Sequence, residues 1–181
     1  MIDAEYLDDS RLQFHKLKAL ADKAVEQTGD AHFFLRLDPE SNSIALVMKH
    51  IAGNMRSRWT DFLTSDGEKP DRNRDSEFEE ESETRAGIMA AWENGWALLF
   101  KALDSLSPAD LEKTIYIRGE AHTVMQAIGR QMTHYATHIG QIVFLAKHFA
   151  GANWKSLSIP RGRSKEVEVS RQGRPYRPQG R

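Results

Sequence analysis

Four segments of the sequence repeat apolar residues at the period of an α-helix, and this repetition constrains the fold more than any other feature. In the second segment, for example, Ile44, Val47 and Ile51 follow one another at steps of three and four. The four predicted helices cover about residues 3–28, 43–64, 85–106 and 122–150. Four amphipathic helices with little predicted strand favour an all-α fold, a four-helix bundle around one core.

The connections between these helices differ in length and character. Helices two and three are separated by a charged segment of about twenty residues, TSDGEKPDRNRDSEFEEESETR, which predicts a long crossing between them. Its acidic run, EFEEES, is predicted to be a solvated face rather than a cation site. Before the last helix, TIYIRGEAHT is rich in residues that favour extended structure and contains Gly119, so we predict a short hairpin there.

Composition narrows the classes of function. The chain has no cysteine, which excludes disulfides, thiolate nucleophiles and iron–sulfur clusters. Its 25 Lys and Arg nearly balance its 26 Asp and Glu, so neither nucleic acid nor an anionic membrane is the expected partner. We see no signal peptide and no apolar run of the ~18 residues that span a membrane, and we therefore expect a cytoplasmic protein.

Charge and glycine content also predict the domain boundary. From residue 161 to 181 the sequence RGRSKEVEVSRQGRPYRPQGR is basic, with almost no apolar content. Such a segment does not bury enough apolar surface to fold alone. We therefore predict one domain over residues 1–154 and a basic, poorly ordered tail over residues 155–181.

Three histidines lie on or beside the predicted apolar faces. His134 and His138 are four residues apart on the last helix, which places their side chains one above the other, and His50 lies beside the stripe of the second helix. They are either hydrogen-bonded core residues or ligands of a shared cation. Neutral imidazole is a good ligand for zinc, nickel, copper or iron, and one metal would satisfy three imidazoles that are costly to bury unpaired.

The passages around these histidines resemble a known family. SNSIALVMKHIAGNMRSRW, with His50, and MTHYATHIGQIVFLAKH, with His134 and His138, are similar to the DinB/YfiT-like superfamily of metal-binding four-helix bundles, over roughly residues 1–154. The sequence resembles most a branch whose function is not established. The resemblance implies that the three histidines bind one divalent transition metal, such as zinc, nickel, iron or manganese. It also implies coordination positions open to water or substrate, and a homodimer.

Two functions are compatible with such a site. The first is a metal-dependent transferase or hydrolase that activates water or a low-molecular-weight thiol against a small-molecule substrate. The second is a non-catalytic, metal-stabilised module that binds a partner. In the second case a protein side chain would close the site, because structural zinc sites usually have four protein ligands. Asp61 and Glu93 are the carboxylates considered for that position.

Three further residues are candidates for supporting roles. Asn54 and Gln141 follow His50 and His138 by about one helical turn, so each is expected either to orient an imidazole or ligand or to make a hydrogen bond between helices. Tyr135 adjoins His134 in the sequence, and its phenol is a candidate proton donor at the rim of the site.

Overall fold

The structure, a computed structural model, describes residues 2–79 and 83–163. The described elements are helices α1 (Ile2–Val25), α2 (Asp30–Phe33), α3 (Ile44–Trp59), α4 (Arg85–Ser105) and α5 (Val124–Ala150), with strands β1 (Thr114–Ile117) and β2 (Glu120–Thr123). Single 3-10 turns cover Asp75–Phe78, Pro108–Asp110 and Gly151–Asn153. None of the described helices is long and apolar enough to cross a membrane.

The predicted four-helix bundle is confirmed. The four long helices pack together, with α3 against α4 and α5, and with α1 against α5. Aromatic side chains fill the centre, where the ring of Phe14 lies 6.4 Å from that of Trp96 and 6.1 Å from that of Tyr135. All three are essentially inaccessible to solvent. Burial of the apolar stripes therefore dominates the stability of the fold.

Hydroxyl side chains cap three helices at the points where a connecting segment ends and the helical repeat of apolar residues begins. The hydroxyls of Ser43, Thr84 and Thr123 accept hydrogen bonds from the backbone N–H groups of Leu46, Gly87 and Gln126, respectively. Each bond satisfies a backbone donor that has no partner inside its helix. These contacts fix the starts of α3, α4 and α5.

Three predicted helix ends were wrong by a few residues. The first helix ends at Val25, and the short helix α2 follows it. The second helix ends at Trp59 rather than near residue 64, because Thr60 is extended and Asp61 has a φ of 49°. The last helix begins at Val124, because the residues before it belong to β2.

The predicted hairpin is present, and it is tied to the long crossing. Strands β1 and β2 pair antiparallel, and Arg118 and Gly119 turn between them with φ values of 58° and 75°. Positive φ at both central residues is the geometry of a two-residue hairpin turn that follows the twist of the strands. The Asp66 carboxylate accepts hydrogen bonds from both backbone N–H groups at 2.8 Å. The crossing therefore holds the turn and its Arg118 side chain in place.

The crossing between α3 and α4 returns along the bundle and contributes a buried carboxylate. The prediction that its acidic run is solvated was wrong for Glu77, which is only 5% exposed. This carboxylate is buried because it forms an ion pair with Arg72 and a hydrogen bond with His50. Residues 80–82 of the same run lie outside the described residues.

The predicted tail is described only at its beginning. Residues 155–163 follow the last 3-10 turn, and residues 164–181 lie outside the described part of the chain. The boundary at residue 154 and the poor order of the tail therefore stay predictions.

Candidate metal centre

The structure brings together the three histidines that the sequence singled out. His50 comes from α3, and His134 and His138 from successive turns of α5. The Nε2 atom of His134 lies 3.2 Å from that of His50 and 3.1 Å from that of His138. One ligand atom from each of the three side chains lies within 4.8 Å of the others, and no other His or carboxylate cluster among the described residues does so.

A buried carboxylate orients the ring of His50. Glu77 Oε2 lies 2.8 Å from His50 Nδ1. Burial alone would raise the pKa of Glu77, but its hydrogen bonds with His50 and Arg72 outweigh that effect and lower the pKa. The ionised carboxylate accepts a hydrogen bond from His50 Nδ1, so Nε2 is the nitrogen that His50 directs at the other two histidines.

Arg72 holds this carboxylate from its other side. Its Nε and Nη2 atoms donate to Glu77 Oε1 and Oε2, each at 2.8 Å. Such a fork fixes the plane of the carboxylate as well as its position. Arg72, Glu77 and His50 form a continuous chain from the crossing to the centre of the site.

Glycine at position 53 makes this arrangement possible. Gly53 lies one helical turn after His50 on α3, directly beneath the carboxylate. A Cβ atom added there would lie 2.8 Å from Glu77 Cδ, and nearer still to an oxygen of the same carboxylate. Only a residue without a side chain leaves space for Glu77 to reach His50.

His138 is oriented by a side chain of its own helix. Its Nδ1 atom donates to Gln141 Oε1 at 2.8 Å, because an amide oxygen only accepts. The Nε2 lone pair of His138 is therefore also directed toward His134. Orientation of an imidazole was one of the two roles considered for Gln141, and the structure gives it that role.

Asn54 and Tyr135 act differently from Gln141. Tyr135 is completely buried, and its hydroxyl donates to Asn54 Oδ1 at 2.9 Å while accepting from Trp59 Nε1 at 3.1 Å. Burial raises the pKa of the Tyr135 hydroxyl. The expectation of a proton donor at the rim was therefore wrong for Tyr135. Its bond to Asn54 joins α5 to α3, the second role considered for Asn54.

The electrostatics of the three imidazoles fit a cation. Burial, with the neighbouring positive groups, lowers the pKa of His134 to about 3, and burial lowers the pKa of His138 as well. Both rings are therefore neutral at pH 7. The Nε2 atoms of His50 and His138 both converge on His134 Nε2, and a single proton on that nitrogen does not satisfy both neighbours.

Distances also fit a shared metal ion. Two nitrogens that each lie about 2.0–2.1 Å from one zinc ion are roughly 3.0–3.4 Å apart at the usual coordination angles. The two separations involving His134 Nε2, 3.1 and 3.2 Å, agree with that range. The donor set is thus suited to one divalent transition metal.

Neither carboxylate considered as a fourth ligand reaches this centre. Glu93 forms an ion pair with Lys18 at 2.8 Å, and Asp61 is exposed in the turn after α3. The three imidazoles instead line a cavity of about 330 Å³. Among the described residues, the site therefore has three candidate histidine ligands and an open side.

Sequence reasoning missed the residues that the crossing contributes. Glu77 and Arg72 lie in a strongly charged segment, and their composition gives no signal of burial. Phe78 was the only indication, as an aromatic residue inside the acidic run. Its ring lies 4.6 Å from that of His50, so the crossing covers one side of the imidazole.

Comparisons with known proteins agree with this fold. Residues 1–163 match the profile of a family described as protein of unknown function, DUF1572. Among solved structures, the chain is similar to YfiT from Bacillus subtilis, described as a probable metal-dependent hydrolase with an unusual four-helix bundle topology. That similarity has a TM-score of 0.59 and 16% sequence identity, and it covers 84% of this chain and 89% of YfiT. No curated protein matches the chain significantly.

Proposed function

The chain belongs to the DUF1572 family of proteins of unknown function, and from its three-histidine centre we propose that it is a metal-dependent hydrolase of small molecules. His50, His134 and His138 would hold one divalent cation through their Nε2 atoms. The observation that carries the proposal is the open side of the centre, where three converging imidazoles line a cavity and no fourth ligand comes from the described residues.

The metal would supply Lewis acidity. A divalent cation held by the three imidazoles would keep its full charge, polarise a substrate oxygen and make water nucleophilic near neutral pH. The description of the similar YfiT structure as a probable metal-dependent hydrolase supports the same class of reaction.

The protein's own residues have separable roles in this proposal. Glu77 and Gln141 keep the Nδ1 protons of His50 and His138 in place, so that the Nε2 atoms stay free to bind. Phe78 covers the ring of His50 and limits the access of water from that side. Asn54 lies on the cavity wall as well as binding Tyr135, so its position is fixed by the contact between α3 and α5.

The test is hydrolysis by defined metal forms. Full-length protein stripped with a chelator is loaded separately with zinc, nickel, manganese or iron and assayed with ester and amide substrates. A parallel assay contains a small thiol as the nucleophile. We expect at least one metal form to hydrolyse an ester faster than the His50→Ala variant. The His122→Ala variant, whose histidine is half-buried in β2 outside the centre, should match wild type.

Two other outcomes would replace the proposal. If turnover requires the thiol, the protein is a thiol transferase built on the same centre. If no metal form exceeds His50→Ala, and a cobalt-substituted form has no exchangeable ligand, the metal-stabilised binding module becomes the better account.

A further inference from the structure

The cavity in front of the three histidines is lined by an unusual number of cationic side chains. Its wall contains no aspartate or glutamate among the described residues. The lining arginines are Arg58, Arg72, Arg74, Arg118 and Arg130. They come from α3, from the crossing, from the hairpin turn and from α5. Separate parts of the fold therefore deliver positive charge to one cavity.

Carboxylates behind the wall neutralise only part of this charge. Glu68 accepts from Arg58 at 2.9 Å, from Arg118 at 2.8 Å and from Arg72 at 3.2 Å. Glu77 accepts from Arg72 alone among the arginines. Asp66, which accepts from the backbone of Arg118, adds one more negative charge. Five arginines against these three carboxylates leave a net charge of +2 around the cavity, before any metal is counted. Clefts with one sign of charge attract and concentrate ligands of the opposite sign.

The two arginines without a carboxylate partner lie at the rim. Arg74 places its guanidinium over the ring of Phe78, 5.1 Å from the ring centre, and forms no ion pair with a described residue. Arg130 lies one helical turn before His134 on α5, and it too has no ion pair within the described part of the chain. Both guanidiniums are exposed and free to bind an anion at the cavity entrance.

Polar atoms inside the cavity wall also lack partners. Arg58 Nε and Gln131 Oε1 are buried and form no hydrogen bond with the described residues. The two residues are only 5% and 3% exposed, respectively. Both side chains line the cavity. A buried donor or acceptor without a partner is costly, so a donor and an acceptor left unpaired in the same wall point to a polar ligand that satisfies them.

We infer that this cavity binds a small anionic molecule, a phosphate or carboxylate compound, whose oxyanion is held at the rim by Arg74 and Arg130. The inference rests on the proposed function, because it names the substrate class of the same centre. Planar guanidinium groups bind phosphate and carboxylate oxygens in pairs. A volume of about 330 Å³ is at the small end of ligand cavities, which range over about 300–1,000 Å³. A small metabolite fits this space better than a macromolecule.

Calorimetric titration of full-length protein carrying its metal tests the inference. The probes are phenylphosphonate, benzoate and the neutral benzyl alcohol, which share a phenyl ring and differ in charge. The variants are Arg74→Gln and Arg130→Gln, with Arg56→Gln as the matched control. Arg56 is an exposed arginine of α3 that pairs with Asp71 and lies outside this cavity. Metal content is measured in every sample.

We expect at least one of the two anions to bind, with Arg74→Gln and Arg130→Gln each weakening it about tenfold, the effect of losing one charge-assisted contact. Arg56→Gln should leave the affinity within about twofold of wild type, since it removes the same charge without a contact to the anion. Tighter binding of phenylphosphonate would assign a phosphate compound, and tighter binding of benzoate a carboxylate.

Three results would overturn the inference: no binding of either anion, equal binding of benzyl alcohol, or equal affinities of the two rim variants and Arg56→Gln. If one of these occurs while the metal forms still hydrolyse a neutral ester, only the anionic substrate class is wrong. If the rim variants weaken anion binding at unchanged metal content but no metal form is hydrolytic, the anion site stands and the proposed reaction is wrong.

Discussion

Replacement of Glu77 by glutamine tests how much this carboxylate supports the candidate metal centre, because it leaves all three histidines unchanged. Glutamine has nearly the same shape as glutamate but no charge. In the native site the Glu77 carboxylate accepts from His50 Nδ1 and from two nitrogens of Arg72, all at 2.8 Å. A glutamine amide has one oxygen, so its NH2 group must meet either Arg72 or His50, and at least one donor loses its acceptor.

The burial of these groups sets the size of the effect on stability. The side chains of Glu77 and Arg72 are only 7% and 3% exposed. Removal of one partner from a buried ion pair costs about 3–5 kcal/mol. We expect the lower end, about 3 kcal/mol, because Arg72 keeps Glu68 as a second partner. Loss of the group that orients a metal-binding histidine also lowers metal affinity, by roughly 10- to 100-fold.

Two assays measure these effects. Urea unfolding of the metal-free protein reports the free energy of unfolding, and competition with a chromogenic chelator reports zinc affinity. The control is Glu79→Gln, which removes the same charge from the same acidic run at an exposed position. If Glu77→Gln binds zinc as tightly as Glu79→Gln and unfolds at the same urea concentration, Glu77 neither stabilises the fold nor orients His50.

Three further substitutions have defined outcomes. Gly53→Ala should displace Glu77 and lower zinc affinity in the chelator assay, because its Cβ would meet that carboxylate. Tyr135→Phe should reduce the free energy of unfolding in urea by roughly 1–3 kcal/mol, because buried Asn54 loses its donor. Despite its partial burial, Glu68 has a pKa lowered to about 2 by Arg118 and Arg58. Its stabilisation is therefore present above about pH 4.5 and is lost as the pH falls toward 2. Urea midpoints between those values should depend less on pH in Glu68→Gln, and equal dependence would contradict this assignment.

The structural features that the sequence predicts are those fixed by the geometry of a single helix. The apolar stripe of residues such as Ile44, Val47 and Ile51 predicts the buried face of α3, because a helix repeats every 3.6 residues. The same geometry predicts that His134 and His138 meet. Spacing does not place His50 opposite them, since that depends on how α3 packs against α5. The family resemblance supplied this placement.

The features that the sequence does not predict depend on contacts between segments that are distant in the chain. Glu77 is buried only because the crossing folds back over α3 and brings it to His50, and a charged segment carries no periodic signal of that path. Likewise, the hairpin turn brings Arg118 to the cavity through Asp66, which lies 52 residues earlier in the chain. The homodimer expected from the resemblance stays a prediction.

The three-histidine centre is tested most directly by the metal content of His134→Ala protein purified without a histidine tag or chelating column. His134 is the central histidine of the three, because its Nε2 atom lies within 3.2 Å of those of both other histidines. We predict about one equivalent of a divalent transition metal in the wild type and in the control His122→Ala, whose histidine lies in β2, and close to none in His134→Ala. Equal metal content in all three proteins would contradict the three-histidine centre.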